Sequence, residues 1–138
     1  MERFDQNEAY VYLAFCPKDA ERMEPVICAL RERGVRLLQN EETEENCVVA
    51  HHLKNAHAVL FFLSEEAIKA EQMVAKVDFA IRQKKVLVPV FLEEIQLPLG
   101  IQLRLAPLSS VHGYRCSAEE LAELLISLPF IKDCINKK

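Results

Sequence analysis

A chain of 138 residues, 51% hydrophobic and 28% charged, is long enough for one domain with its own core, and too apolar to read as disordered. Its net charge of −4, with no basic block before Lys137-Lys138, excludes the clustered cationic face that nucleic acid requires. The five cysteines (16, 28, 47, 116, 134) lack paired spacing and predict reduced thiols, not a disulfide framework.

The first fifteen residues, MERFDQNEAYVYLAF, carry charges where a secretory leader needs an apolar centre. Tyr10–Phe15 reads as a buried strand. A helical stripe follows in Ala20, Met23, Ile27 and Leu30, spaced by three and four. Pro25 either opens the regular part of that helix or kinks it, and Gly34 after Arg31 and Arg33 is a stop signal. Val35–Leu38 is the second strand. Cys47, His51 and His52 then fall on a predicted helix, with His57 nearby. Cys47 and His51 have the spacing to share a metal, but no second ligand pair exists elsewhere, so no metal site is expected.

Ala58–Leu63 is the third strand. Ser64-Glu65-Glu66 puts a capping hydroxyl and two carboxylates at a helix start, where orphan amides and the helix dipole favour both. The stripe Ala67, Ala70, Val74, Val77 and Ile81 follows. Val86–Phe91 is the fourth strand and Leu108–Val111 a weaker fifth. Ser117-Ala-Glu-Glu120 forms a capping box before the stripe Ala118, Leu121, Leu125 and Leu128. The longest apolar stretches, Ala56–Leu63 and Val86–Leu92, are too short to span a bilayer, so a cytoplasmic chain with no membrane partner is expected.

Strand alternating with helix predicts a parallel sheet with right-handed crossovers, covered on both faces. Ligands of such sheets bind outside the carboxyl ends of the strands, which directs attention to Phe15–Asp19, Leu38–Asn46, Ser64 onward and Leu92–Gly100. Familiar chemistries of this layout are missing. The third strand ends in Phe62-Leu63-Ser64, without the aspartate of a phosphoacceptor domain. Cys16-Pro17-Lys18-Asp19 lacks the glycine of a flavin-phosphate loop, and the chain has only three glycines and no GxGxxG or Walker loop. Cys16 has no assignable base and reads as a buried or half-buried thiol.

Read together, the segments resemble a known family. Ala9-Tyr-Val-Tyr-Leu-Ala-Phe15 followed by Lys18-Asp19 is similar to the first strand and loop of bacterial TIR (Toll/interleukin receptor) domains. Pro25-Val-Ile-Cys-Ala-Leu30 with Arg33-Gly34-Val-Arg36, His52-Leu53-Lys54-Asn55-Ala56 and Val59-Leu-Phe-Phe-Leu-Ser64 resemble the elements that follow. Val86–Glu93 and Leu97-Pro-Leu-Gly-Ile-Gln-Leu103 continue the match. The resemblance covers roughly residues 9 to 128, leaving 1–8 as an extension and 129–138 as a tail. It implies a flavodoxin-like α/β sandwich with a five-stranded parallel sheet of order 2-1-3-4-5 and helices on both faces.

Two functional classes come with the resemblance. Some TIR domains cleave NAD at the nicotinamide–ribose bond, and others are scaffolds that bind TIR domains. In the enzymes a third-helix glutamate near the NAD ribose is required. Laid on that pattern, Ser64 matches the family serine, Gln72 the Trp/Asn, Met73 the Cys, and Lys76 the glutamate. An ammonium there repels the positive charge that develops at the ribosyl centre. The loop after the second strand reads Leu38-Gln39-Asn40-Glu41-Glu42-Thr43-Glu44-Glu45-Asn46, without the family's aromatic residue and glycines. Its four glutamates would repel a pyrophosphate.

The reading is therefore a TIR-like interaction domain with no catalytic residue, a degenerate position at Lys76, and no cofactor. Its expected partners are other TIR domains or its own copies, with Glu41, Glu42, Glu44, Glu45, Pro98 and Leu99 as the contact residues. The alternative is an active NAD glycohydrolase or ADP-ribose-handling enzyme. A third reading is a nucleotide binder without turnover, its pocket lined by Phe15, Cys16, Leu38, Asn40, Ser64 and Lys76, with the lysine holding phosphate.

Overall fold

Strands rich in branched and aromatic residues with no polar alternation must be covered on both faces, and the central strands obey this. The computed structural model describes residues 9–39, 46–69, 71–105, 108, 110–132 and 134–135. Five strands form one sheet: β1 (Val11–Ala14), β2 (Leu37–Gln39), β3 (Ala58–Leu63), β4 (Val86–Phe91) and β5 (Val111–His112). Their order is β2-β1-β3-β4-β5 and every pairing is parallel, as the alternation of elements predicts. Every residue of β1 and β3 is buried.

Adjacent residues of a strand point to opposite faces, so the sheet separates two cores. Val11, Leu13, Phe15, Leu60 and Phe62 face one side, against α1 (Ala20–Glu32), α6 (Ala118–Ile126) and α7 (Pro129–Lys132). Tyr10, Tyr12, Ala14, Cys16, Val59, Phe61 and Leu63 face the other. There they meet Leu53 of α2 (Asn46–Asn55), Met73 and Val77 of α4 (Glu71–Arg82) and Leu105 of α5 (Leu99–Leu105). The short α3 (Glu65–Lys69) precedes α4, and residue 70 between them lies outside the described residues.

Several boundaries differ from the sequence expectation. Val35 does not belong to β2; it forms an antiparallel bridge with Ile135, and Arg36 N donates to Cys134 O at 2.8 Å. Of the segment expected as a tail, residues 129–132 and 134–135 are described, and Ile131 and Cys134 are buried in the first core. β5 starts at Val111 and not at Leu108. It pairs only with Val90 and Phe91, beyond Pro89, whose ring nitrogen has no hydrogen to donate. The stripe expected through Val74 and Ile81 is rotated: Met73, Val77 and Ala80 are buried, while Ile81 is exposed.

Helix ends follow the local code. Pro25 lies inside α1. Gly34, at φ 82°, closes α1 with Gly34 N to Arg31 O and Val35 N to Leu30 O, a Schellman motif. Lys84, at φ 56°, closes α4 with the same pair of bonds to Ile81 and Ala80, a position better suited to glycine. The capping box at Ser117 and Glu120 is formed in both directions. Gly113 lets β4 and α6 approach: a side chain there would meet Phe91 O at 3.0 Å and Leu121 Cδ2 at 3.1 Å.

Candidate functional site

The chain leaves β1 over the α1 face and leaves β3 over the α4 face, so the topological switch point lies between these neighbouring strands. A polar network occupies their carboxyl ends. After Ala14 the chain passes Phe15 and Cys16 into a 3-10 turn, Pro17–Asp19, closed by Asp19 N to Cys16 O at 2.8 Å. Pro17 favours such a turn because its φ is already set. The turn carries the Asp19 side chain inward, where only 2% of the residue remains exposed.

There Asp19 meets Ser64, which ends β3 and is fully buried. Ser64 Oγ donates to Asp19 Oδ2 at 2.5 Å and accepts from Ala67 N at 3.1 Å, so one hydroxyl caps α3 and holds the loop after β1. Arg22, one turn into α1, lies 3.2 Å from Asp19 Oδ1 and 3.0 Å from Glu93 Oε2. Glu93, beyond the end of β4, accepts from Glu65 N at 2.6 Å through its other oxygen. That amide bond, then Arg22, holds the Glu93 carboxyl below its usual pKa. Lys18 and Glu66 add an exposed pair at 3.3 Å, which contributes little.

The network ties the ends of β1, β3 and β4 together. Ser64 and Asp19 are spent on each other, and a ligand reaching the Ser64 hydroxyl would have to displace Asp19. Of the residues expected to line a pocket, Phe15 packs into the α1-side core and Cys16 into the α4-side core. They are consecutive at a strand end, so the pleat sends them to opposite faces. Leu38 packs at the margin of the second core. Lys76 is half-buried on α4, where Met73 and Val77 on either side of it belong to that core. Asn40, Glu41, Glu42, Glu44 and Glu45 lie outside the described residues.

On the α4 side an apolar hollow opens, lined by Leu63, Ile68, Met73, Val74, Val77 and Ile101; it holds none of the expected pocket residues. Beside it, α5 turns Leu105 into the core and packs Ile101 against it, while Leu99 is 82% and Leu103 78% exposed. Pro98, just ahead of the helix, is exposed as well. Among the described residues no group of three His, Cys, Asp or Glu side chains is placed to hold a metal, and no helix is long and apolar enough to cross a membrane.

The family model for the TIR domain matches residues 11–125, across all five strands and the network at their ends. The chain belongs to the TIR domain family. Its fold is similar to the crystal structure of the TIR domain of the Toll-related receptor TRR-2 from Hydra magnipapillata, with a TM-score of 0.61 at 11% identity. That alignment covers 73% of this chain and 81% of the receptor domain. A putative pilus assembly-related protein from Burkholderia pseudomallei aligns over 100% of both chains at 10% identity and a TM-score of 0.55. A fungal multi-domain β-N-acetylglucosaminidase with a GCN5-related N-acetyltransferase region aligns at 20% identity and a TM-score of 0.61, over 91% of this chain and 15% of that one. No curated protein matches in sequence. At these identities the structural likenesses establish the fold of this TIR domain and nothing of its chemistry.

Sequence reasoning named Ser64, Pro98 and Leu99 but missed Arg22, Glu93 and Leu103. A local signal existed only for Leu103, which follows Leu99 at the spacing of one helical turn.

Proposed function

We propose that this TIR domain is a cytoplasmic protein–protein interaction module that assembles with other TIR domains or with its own copies, and that it does not cleave NAD. The observation that supports this best is α5, which spends Ile101 and Leu105 on the fold and still presents Leu99 and Leu103 to solvent. Single exposed apolar residues are ordinary. Two leucines on one helical face beside an exposed proline form the kind of patch that a partner covers. The glutamates at 41, 42, 44 and 45 add a negative segment that would steer encounter more than set affinity. Sedimentation of the wild type should show mass rising with concentration and falling with salt, and L99Q/L103Q should stay monomeric with an unchanged melting curve. A wild type that remains monomeric at about millimolar concentration and captures no TIR domain would overturn the reading.

The absence of catalysis rests on Lys76 at the position where the resemblance asks for glutamate. Losing one transition-state carboxylate costs about 2–3 orders of magnitude in rate. Nicotinamide release from NAD should therefore stay at background for the wild type, and K76E should not rescue it, because the sequence after β2 would still lack the family's aromatic residue and glycines. Wild-type turnover that survives K76A would show that another residue supplies the acid.

A further inference from the structure

Charge in this domain is divided between the two ends of the sheet. At the carboxyl ends of the strands lie Asp19, Glu21, Glu65, Glu66, Glu93 and Glu94, and the cations among them, Lys18, Arg22 and Lys69, are each paired with one of these acids. The amino ends of β3 and β4 are the reverse. α2 leads into β3, α4 leads into β4, and the two helices pack together. Lys54, in the last turn of α2, therefore arrives at the same end of the sheet as Arg82, Lys84 and Lys85. Ala58 and Val86, which open the two strands, are register partners. These four cations form no ion pair or side-chain hydrogen bond among the described residues. The acid of the last two turns of α4 is Asp78, which is half-buried.

Helix dipoles account for Lys54 and Arg82, whose charges complement the ends of α2 and α4. They do not account for Lys84. It sits beyond α4 at φ 56°, where glycine would be the more stable residue. Strain at an exposed turn points to a side chain kept for what it does. Apolar side chains flank the lysines: Ile81 is 38% and Val86 42% exposed. Lys84 N donates to Ile81 O at 3.0 Å, which closes the turn against the isoleucine.

We infer that this tip docks on the surface of an anionic lipid membrane. The ammonium and guanidinium groups meet the anionic headgroups, and Ile81 and Val86 reach the boundary of the acyl chains. No helix among the described residues is long and apolar enough to cross a bilayer, and peripheral contact needs none. An acidic protein would attract the same cations. Aliphatic side chains set among them on a turn, with five of the six residues from Ile81 to Val86 exposed, fit a yielding planar surface better. The same lipids repel the acidic carboxyl ends of the strands, so the domain is held with that end turned to solution.

Flotation with vesicles of phosphatidylcholine, alone or with about 30% phosphatidylserine, tests this. The wild type should bind only the anionic vesicles at about 20 mM salt and leave them at about 500 mM. One cation beside such a surface is worth about fivefold in partition, so K84G should bind about fivefold more weakly, and K84Q/K85Q about 25-fold. K84G should melt no lower than the wild type, which separates lost binding from lost folding. I81S should weaken binding and leave its salt dependence unchanged. R115Q removes one positive charge beyond β5, at the far end of the sheet, and should bind like the wild type. A wild type that ignores anionic vesicles at about 20 mM salt would overturn the proposal. So would wild-type binding by K84Q/K85Q or I81S, or a loss in R115Q as large as in K84G. Binding to polyglutamate with none to vesicles would overturn it too, and assign the tip to an acidic protein.

Discussion

Replacing Ser64 by alanine removes two bonds at once. The Ala67 amide loses its cap, worth about 1 kcal/mol. Asp19, 2% exposed, loses a charge-assisted bond from a hydroxyl 2.5 Å away, worth about 1.5–3 kcal/mol because the carboxylate stays buried. The sum is about 3 kcal/mol, a large share of the roughly 5–15 kcal/mol that holds a domain. For a chain of this length that lowers Tm by roughly 9–15 °C. Ser117 supplies the internal control, since it caps α6 with the same chemistry at an exposed site and its alanine variant should cost only about 1 kcal/mol. Urea denaturation of S64A, S117A, D19N and S64A/D19N gives the numbers, and the cycle should show about 1–3 kcal/mol of coupling between Ser64 and Asp19. If S64A costs no more than S117A, or the coupling vanishes, the buried bond does not hold the strand ends together.

Lys84 occupies the left-handed region at φ 56°, so Lys84→Gly should raise stability by about 0.5–1 kcal/mol, seen as a higher urea midpoint at unchanged slope. Tyr10 donates its hydroxyl to His52 O at 2.6 Å, and burial pushes its pKa from 10.0 up to about 12. The native state keeps a proton that the unfolded chain releases near pH 10, so this contribution is whole below pH 10 and lost as pH rises toward 12. Tyr10→Phe should cost about 1 kcal/mol at neutral pH and flatten that part of the alkaline decline.

The sequence revealed the central strands because burial on both faces leaves an unbroken apolar run: β3 and β4 lie at the expected bounds. The edge strands were less legible. β2 and β5 are two or three residues long, and what sets their limits is Ile135 and Pro89, neither visible as a strand signal. The helix stripe over Ala67–Ile81 was found but placed out of phase, since Val74 and Ile81 are as apolar as the buried Met73 and Ala80. At the site, the Ser-Glu-Glu pattern announced the cap of α3. The second partner of Ser64 lies 45 residues earlier, and no local pattern reports a bond across that distance. Phe15 and Cys16 show the converse: their separation onto two faces follows from strand period alone.

Pro89 and the Val35–Ile135 bridge together decide how this sheet can be approached from its sides. An edge strand with free amides invites an incoming strand, by which some domains capture peptides and others aggregate. Here the flank of β4 that β5 leaves uncovered leads into a residue without an amide hydrogen, and the chain just ahead of β2 is bridged at Val35 by an antiparallel segment. An incoming strand finds a shortened ladder beside Pro89 and at the entry to β2. Under the interaction reading proposed above, recruitment would then fall to side chains on helices and loops more than to strand addition.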